Sequence, residues 1–264
     1  MIFSSRSDFS NRCRIHEDTK LHYAHYKDWL LDSVFQPIFD QSNDVIGYEA
    51  LLRITCAING NPIPPSDIFA LDSISNEDKI NVDQLSQAVH IRNFAQTEQS
   101  HLKLFLNTLP ISNEHRVNAL KNNSLLLTRL NELDLKPDQL VQEIIESEST
   151  DDIALSIAVR ELKDNGFHVA IDDFGSLSSN LQRVALIKPN VLKIDRGLLL
   201  AYMSGDKQPL YDTLLLGNSL HAPTVIEGIE TSEQLEEMAK LNIEFYQGFY
   251  LAKPTPLAKA NAHS

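Results

Sequence analysis

Short apolar runs that end at or beside a polar residue recur along this chain, and between them the apolar spacing changes to the helical period near 3.6. The runs are 48–52, 104–106, 140–145, 168–171, 191–194, 225–226 and 245–246. Their length reads as buried strands. The intervening stretches 81–95, 114–130, 150–165, 180–187, 209–220 and 232–241 read as helices, so strand and helix alternate as in an α/β chain. Glu49, Asn107, Glu143, Asp172 with Asp173, Lys193, Glu227 and Gln247 stand in or next to the strand runs. A carboxylate at the C-terminal end of a barrel strand has no part in packing the core, and burying it is costly without a compensating positive group. Several of them on different strands imply cations, and the layout is that of a metal-dependent barrel site.

The alternation is not uniform. The segments 34–39 and 45–52 are joined only by Asp40-Gln41-Ser42-Asn43-Asp44, too short for a helical crossover, which predicts an antiparallel hairpin at the start of the barrel. Residues 1–30 stand apart as an N-terminal extension or capping helix, with His22, Tyr23, Tyr26 and Trp29 available to pack on the barrel or to lead in from an upstream domain. Residues 31–260 then form the barrel domain.

Composition narrows the function. At 264 residues with 42 % hydrophobic side chains, the chain can bury one large core. A formal net charge of −13 argues against duplex nucleic acid as partner, because phosphate affinity there comes from clustered Lys and Arg. A small anionic substrate held through metals is compatible with it. Cys13 and Cys56 have no metal-ligand spacing and make no disulfide framework, which fits a reducing cytoplasmic setting. No apolar stretch reaches the ~20 residues of a membrane span, and the polar stretch 4–14 is unlike a signal peptide.

In order along the chain, Phe35-Gln36-Pro37-Ile38, Tyr48-Glu49-Ala50-Leu51-Leu52-Arg53, Leu106-Asn107-Thr108-Leu109-Pro110 and Glu143-Ile144-Ile145-Glu146 are followed by Asp172-Asp173-Phe174-Gly175, Lys193-Ile194-Asp195-Arg196, Glu227-Gly228-Ile229-Glu230-Thr231 and Gln247-Gly248-Phe249. This ordered set, spanning about residues 34–257, resembles the EAL-domain family, whose characterised active members are cyclic di-GMP phosphodiesterases. Asp-Phe-Gly alone also occurs in protein kinases, but the chain has neither a His-Arg-Asp loop nor a glycine-rich phosphate loop.

The resemblance implies a modified TIM-type (β/α)8 barrel with an antiparallel first strand, and metal-dependent hydrolysis of cyclic di-GMP to linear pGpG. It implies two Mg²⁺ or Mn²⁺ ions per site, the first held by Glu49, Asn107, Glu143 and Asp172, the second by Asp172, Asp173 and Glu227. Such ions favour hard oxygen donors. Lys193 would hold or polarise the attacking water and Gln247 would orient a water or a carboxylate, with Glu49, Lys193, Glu227 and Gln247 as the catalytic set. Arg53 would clamp a phosphate, since a guanidinium engages two oxygens at once. Gln36 would read a guanine edge, Pro254 would lie against a base, and Leu51 and Asp195 complete the substrate contacts. Glu146 would brace the loop after Asp173. In that loop Leu177 stands where relatives commonly carry glycine. The family pattern further implies a homodimer in the cytoplasm and an upstream regulatory partner. The alternative is a catalytically weak or inactive domain serving as a cyclic di-GMP receptor or protein-interaction module.

Overall fold

The computed structural model describes residues 5–108, 123–145, 152–175 and 181–260. Its strands are β1 (Cys13–Ile15), β2 (His22–Tyr26), β3 (Trp29–Asp40), β4 (Val45–Cys56), β5 (Pro62–Ile63), β6 (Lys103–Thr108), β7 (Leu140–Ile145), β8 (His168–Phe174), β9 (Val191–Ile194), β10 (Thr224–Ile226) and β11 (Phe245–Tyr246). Strands β3, β4, β6, β7, β8, β9, β10 and β11 close into an eight-stranded barrel. From β4 round to β11 every barrel neighbour is parallel. Strand β3 alone is antiparallel, to β4 on one side and β11 on the other. This is the modified barrel expected from the five-residue connection. That connection is a tight turn because Asp40 Oδ1 accepts from the backbone N–H groups of Ser42 at 2.8 Å and Asp44 at 2.9 Å, and Asn43 takes a positive φ of 65°.

The floor of the barrel is filled by one side chain from nearly every strand. Ile38, Phe105, Val141, Ala170, Val191 and Val225 meet there. Outside, a larger core of Leu104, Leu106, Leu140, Val169, Ile171 and Leu192 is covered by helices. The helix expected from residue 81 begins earlier, spanning Asn76–Phe94, because Ser75 caps it by accepting from Asp78 N–H at 3.2 Å. Two helices escaped the periodicity argument, Pro65–Ala70 and Arg196–Met203. The latter reads Arg-Gly-Leu-Leu-Leu-Ala-Tyr-Met, eight residues whose unbroken apolar run is too short for a helical period to stand out in the sequence. Among the described residues no helix is long and apolar enough to cross a membrane. The expected helix 114–130 lies partly outside the described residues, which resume with a helix over Asn123–Glu132.

The lead-in differs from a capping helix. Its helix is confined to Arg6–Ser10, whereas His22, Tyr23 and Tyr26 lie on β2 and Trp29 opens β3. Strand β2 pairs antiparallel with the first residues of β3, and β1 pairs with β2. Alternation decides this: Ala24 and Tyr26 point into a core with Leu31, Ile54, Val82, Leu85 and Val89, and His25 between them points the other way.

His90 sits in this outer layer, buried, with its Nδ1 2.6 Å from Ser33 Oγ. Burial holds its pKa down to about 3, so the folded protein keeps it neutral while the unfolded chain protonates near pH 6.5. Its contribution to stability is therefore complete above pH 6.5 and is lost as the pH falls from there toward 3. Between pH 7 and pH 5, wild type is expected to lose about 2 kcal/mol more unfolding free energy than His90→Gln. Denaturant titrations at the two pH values check this, and parallel losses in the two proteins would remove His90 from the account.

Candidate active site

The ends of the parallel strands bring the expected polar residues together. Lys193, on β9 and 1 % exposed, places Nζ 2.6 Å from Glu143 Oε1, 2.8 Å from Asp172 Oδ1, 2.8 Å from Glu227 Oε1 and 3.6 Å from Glu49 Oε2. Glu49 is held from two sides. Asn107 Nδ2 donates to its Oε1 at 2.9 Å and Gln247 Nε2 donates to its Oε2 at 2.8 Å. Thus β4, β6, β7, β8, β9 and the segments following β10 and β11 each contribute one functional side chain or more.

Asp172 and Asp173 are sequence neighbours, and in a regular strand their side chains would face opposite ways. The pairing of β8 with β9 is irregular between Ile171 and Phe174, and Asp173 takes a left-handed φ of 55°. Aspartate is among the few residues that adopt this conformation readily. The bulge turns both carboxylates the same way, so Asp172, Asp173 and Glu227 bring carboxylate oxygens within 4.8 Å of one another. The link to Gln247 is equally constrained. A Cβ on Gly248 would lie 2.1 Å from the Ile229 carbonyl oxygen and 2.3 Å from its nitrogen, so only glycine lets the chain after β11 run that close to the chain after β10.

Electrostatically the site is an overcrowded acidic pocket. Burial raises Glu143 well above the ordinary carboxylate range, against the pull of Lys193. Burial likewise pushes Glu227 up to about 8 and Asp173 to about 6, the latter helped by neighbouring Asp172. Burial opposes the charge on Lys193, but Asp172, Glu143, Glu227 and Glu49 together outweigh it and hold the ammonium well above its usual pKa. One ammonium faces five carboxylates, Glu49, Glu143, Asp172, Asp173 and Glu227. Glu143 Oε2 and Gln247 Oε1 are buried without a hydrogen-bond partner among the described residues. Orphaned buried oxygens beside clustered carboxylates are the donor set that hard divalent cations take, and the residues present fit such ions.

The residues expected to meet substrate lie around this pocket rather than in it. Gln36 is buried opposite Glu49 in the β3–β4 pairing, and its Nε2 donates to the Ala252 carbonyl at 3.2 Å, a partner that no sequence signal marks. Leu51 is half-buried and Arg53 is exposed, two and four residues beyond Glu49 on β4. Pro254 is half-buried in a segment tied to β3 by the reciprocal Phe35–Thr255 backbone bonds at 2.8 and 3.1 Å. Asp195 caps the Arg196–Met203 helix, its Oδ1 accepting from Gly197 N–H at 2.8 Å. Glu146 and Leu177 lie outside the described residues.

Comparison with known proteins agrees with this architecture. The chain is 31 % identical over 229 residues to the probable cyclic di-GMP phosphodiesterase PdeN of Escherichia coli, covering 84 % of this chain and 43 % of PdeN. It is 31 % identical over 229 residues to the uncharacterised EAL-domain protein YkuI of Bacillus subtilis, covering 84 % of this chain and 54 % of YkuI. The chain therefore spans about half the length, or less, of these curated relatives. The solved structure of YkuI with cyclic di-GMP and calcium superposes with a TM-score of 0.73 at 27 % identity, over 87 % of this chain and 57 % of that one. That of Klebsiella pneumoniae BlrP1 with manganese and cyclic di-GMP gives 0.73 at 28 % identity, over 85 % and 56 %. The family model described as EAL domain matches residues 27–254, and the chain belongs to the EAL domain family.

Proposed function

We propose that this chain hydrolyses cyclic di-GMP to linear pGpG with two Mg²⁺ or Mn²⁺ ions. The observation that carries this reading is the completeness of the acidic pocket: Glu49 is clamped by both Asn107 and Gln247, and Glu143, Asp172, Asp173 and Glu227 stand around the same Lys193. Glu49, Asn107, Glu143 and Asp172 would hold one ion, and Asp172, Asp173 and Glu227 the other. Bound there, the ions supply an activated water and relief of charge repulsion at the phosphoryl oxygens.

The chain's own residues do the rest. Asn107 and Gln247 fix the carboxylate of Glu49 in one orientation, so it needs no reorganisation as the reaction proceeds. Lys193 gathers the carboxylates and opposes the rise in their pKa that burial causes, and its ammonium favours an ionised water beside it. Asp173 and Glu227, raised to about 6 and about 8 in the metal-free pocket, would give up their protons on taking the second ion, because a carboxylate ligates in its ionised form. Arg53 takes a substrate phosphate, Gln36 and Pro254 meet the bases, and Leu51 lines the wall between them.

The metal requirement separates turnover from binding. Mn²⁺ and Mg²⁺ are expected to support conversion to pGpG, and Ca²⁺ to support nucleotide binding without turnover, because its longer and looser coordination misplaces the reacting groups. Calorimetry in Ca²⁺ beside product chromatography in Mn²⁺ tests both arms. Nucleotide binding with no turnover in any metal would favour the receptor alternative.

A further inference from the structure

Asp32 and Arg53 are direct partners in the β3–β4 pairing, as are Gln36 and Glu49 four residues further down. Side chains alternate along a strand, so all four lie on one face of the hairpin, with Asp32 and Arg53 at its outer end. Oppositely charged residues directly across an antiparallel pair are about 4.5–5.5 Å apart at Cβ and ordinarily attract each other. Here they do not pair. Asp32 Oδ1 instead accepts from His16 Nε2 at 2.7 Å, and His16 is fixed by stacking on Tyr23 with ring centroids 4.2 Å apart. Arg53 makes its side-chain hydrogen bond to the Leu52 carbonyl oxygen at 3.0 Å and has no ion pair among the described residues.

His16 and Tyr23 belong to the lead-in, which adds β1 and β2 to the barrel's first strand. We propose that His16 is a positioning residue for substrate binding: by engaging Asp32 it prevents the cross-strand Asp32–Arg53 ion pair and leaves the Arg53 guanidinium free to take a phosphate of the nucleotide. The inference rests on the reading of this pocket as a cyclic di-GMP site. It gives the N-terminal strands a role in affinity that packing alone would not require. His16 does not touch substrate. Its effect passes through Asp32 and is therefore conditional on Asp32.

The test is a double-mutant cycle with two probes, cyclic di-GMP titrated by calorimetry in Ca²⁺, and inorganic phosphate titrated while observing the Arg53 Nε resonance without nucleotide or metal. His16→Ala is expected to weaken both by about 10-fold, the loss of one charge-assisted phosphate contact. His16→Gln should stay near wild type, because its amide can still donate to Asp32. The pair His16→Ala with Asp32→Ala should recover to within about 2-fold of wild type. Unchanged affinity in His16→Ala, or a double variant as weak as His16→Ala, overturns the proposal, the second result assigning His16 a merely structural role. Failure of the wild type to bind cyclic di-GMP, with the phosphate pattern intact, would remove the proposed function and leave the role of His16 standing. Loss of the phosphate pattern removes the role of His16 itself.

Discussion

Glu49→Ala is expected to lower the proposed turnover of cyclic di-GMP by about 10³-fold, equal to about 4 kcal/mol of transition-state stabilisation, while the protein stays folded. The expectation follows from where Glu49 stands. It is the carboxylate of the first parallel-paired strand, it approaches Lys193 at 3.6 Å, and among the described residues it is the one acid of the pocket gripped by two amides. Removing it empties one side of the donor set and leaves the amides of Asn107 and Gln247 without their acceptor. The loss should fall on kcat more than on nucleotide affinity, because the groups it holds act on the transition state. Gln247→Ala should cost a smaller 10–100-fold, since it leaves Glu49 held by Asn107. Steady-state kinetics with Mn²⁺ decides it, and a Glu49→Ala enzyme as fast as wild type would take Glu49 out of the reaction.

Lys193→Met is expected to destabilise the metal-free protein by about 3–5 kcal/mol, the cost of leaving buried carboxylates without their counter-charge. Lys193 is 1 % exposed and has three carboxylates within 2.8 Å. The pH dependence has a definite sign. A carboxyl whose folded pKa is raised, as Glu227 is to about 8, holds its proton in the folded state after the unfolded chain has released it, so its stabilising contribution is present below pH 4.5 and is lost as the pH rises toward 8. Protonation relieves the crowding, and the deficit of Lys193→Met should be larger at pH 9 than at pH 6. Divalent ions should shrink it, because they bind the folded pocket and replace the missing charge. Denaturant unfolding with EDTA and with Mn²⁺ reads all three effects. Equal stability of the two proteins in EDTA at pH 9 would show that Lys193 is not the counter-ion the geometry describes.

Much of the architecture was legible because it is written in local signals. A five-residue polar connection between two apolar runs can only be a hairpin, and strand-length apolar runs separated by helical periods can close into a barrel. The β3–β4 pairing and the closed ring match that reading, as does the family match over residues 27–254. What was not legible depends on tertiary pairing. The aromatic lead-in looked compatible with a helix, but docking of Ala24 and Tyr26 against Leu31, Val82 and Val89 makes it two strands. The shared direction of Asp172 and Asp173 comes from a bulge against β9 and a left-handed backbone at Asp173, neither of which has a sequence signature. Gln36 was expected to read a guanine edge, and the tie of its Nε2 to the carbonyl of Ala252, more than two hundred residues away, has no signal in the sequence. Asp195 follows the strand as expected, yet the helix it caps is only eight residues long, too short for its period to have revealed the cap.

The most direct test of the central claim is the conversion of cyclic di-GMP followed by product chromatography, with one enzyme preparation divided between exhaustive EDTA treatment and repletion with Mn²⁺. One linear pGpG is expected per cyclic di-GMP consumed in the repleted sample, and no conversion in the chelated one. Cyclic di-GMP left intact with Mn²⁺, or consumed equally fast after chelation, would contradict it.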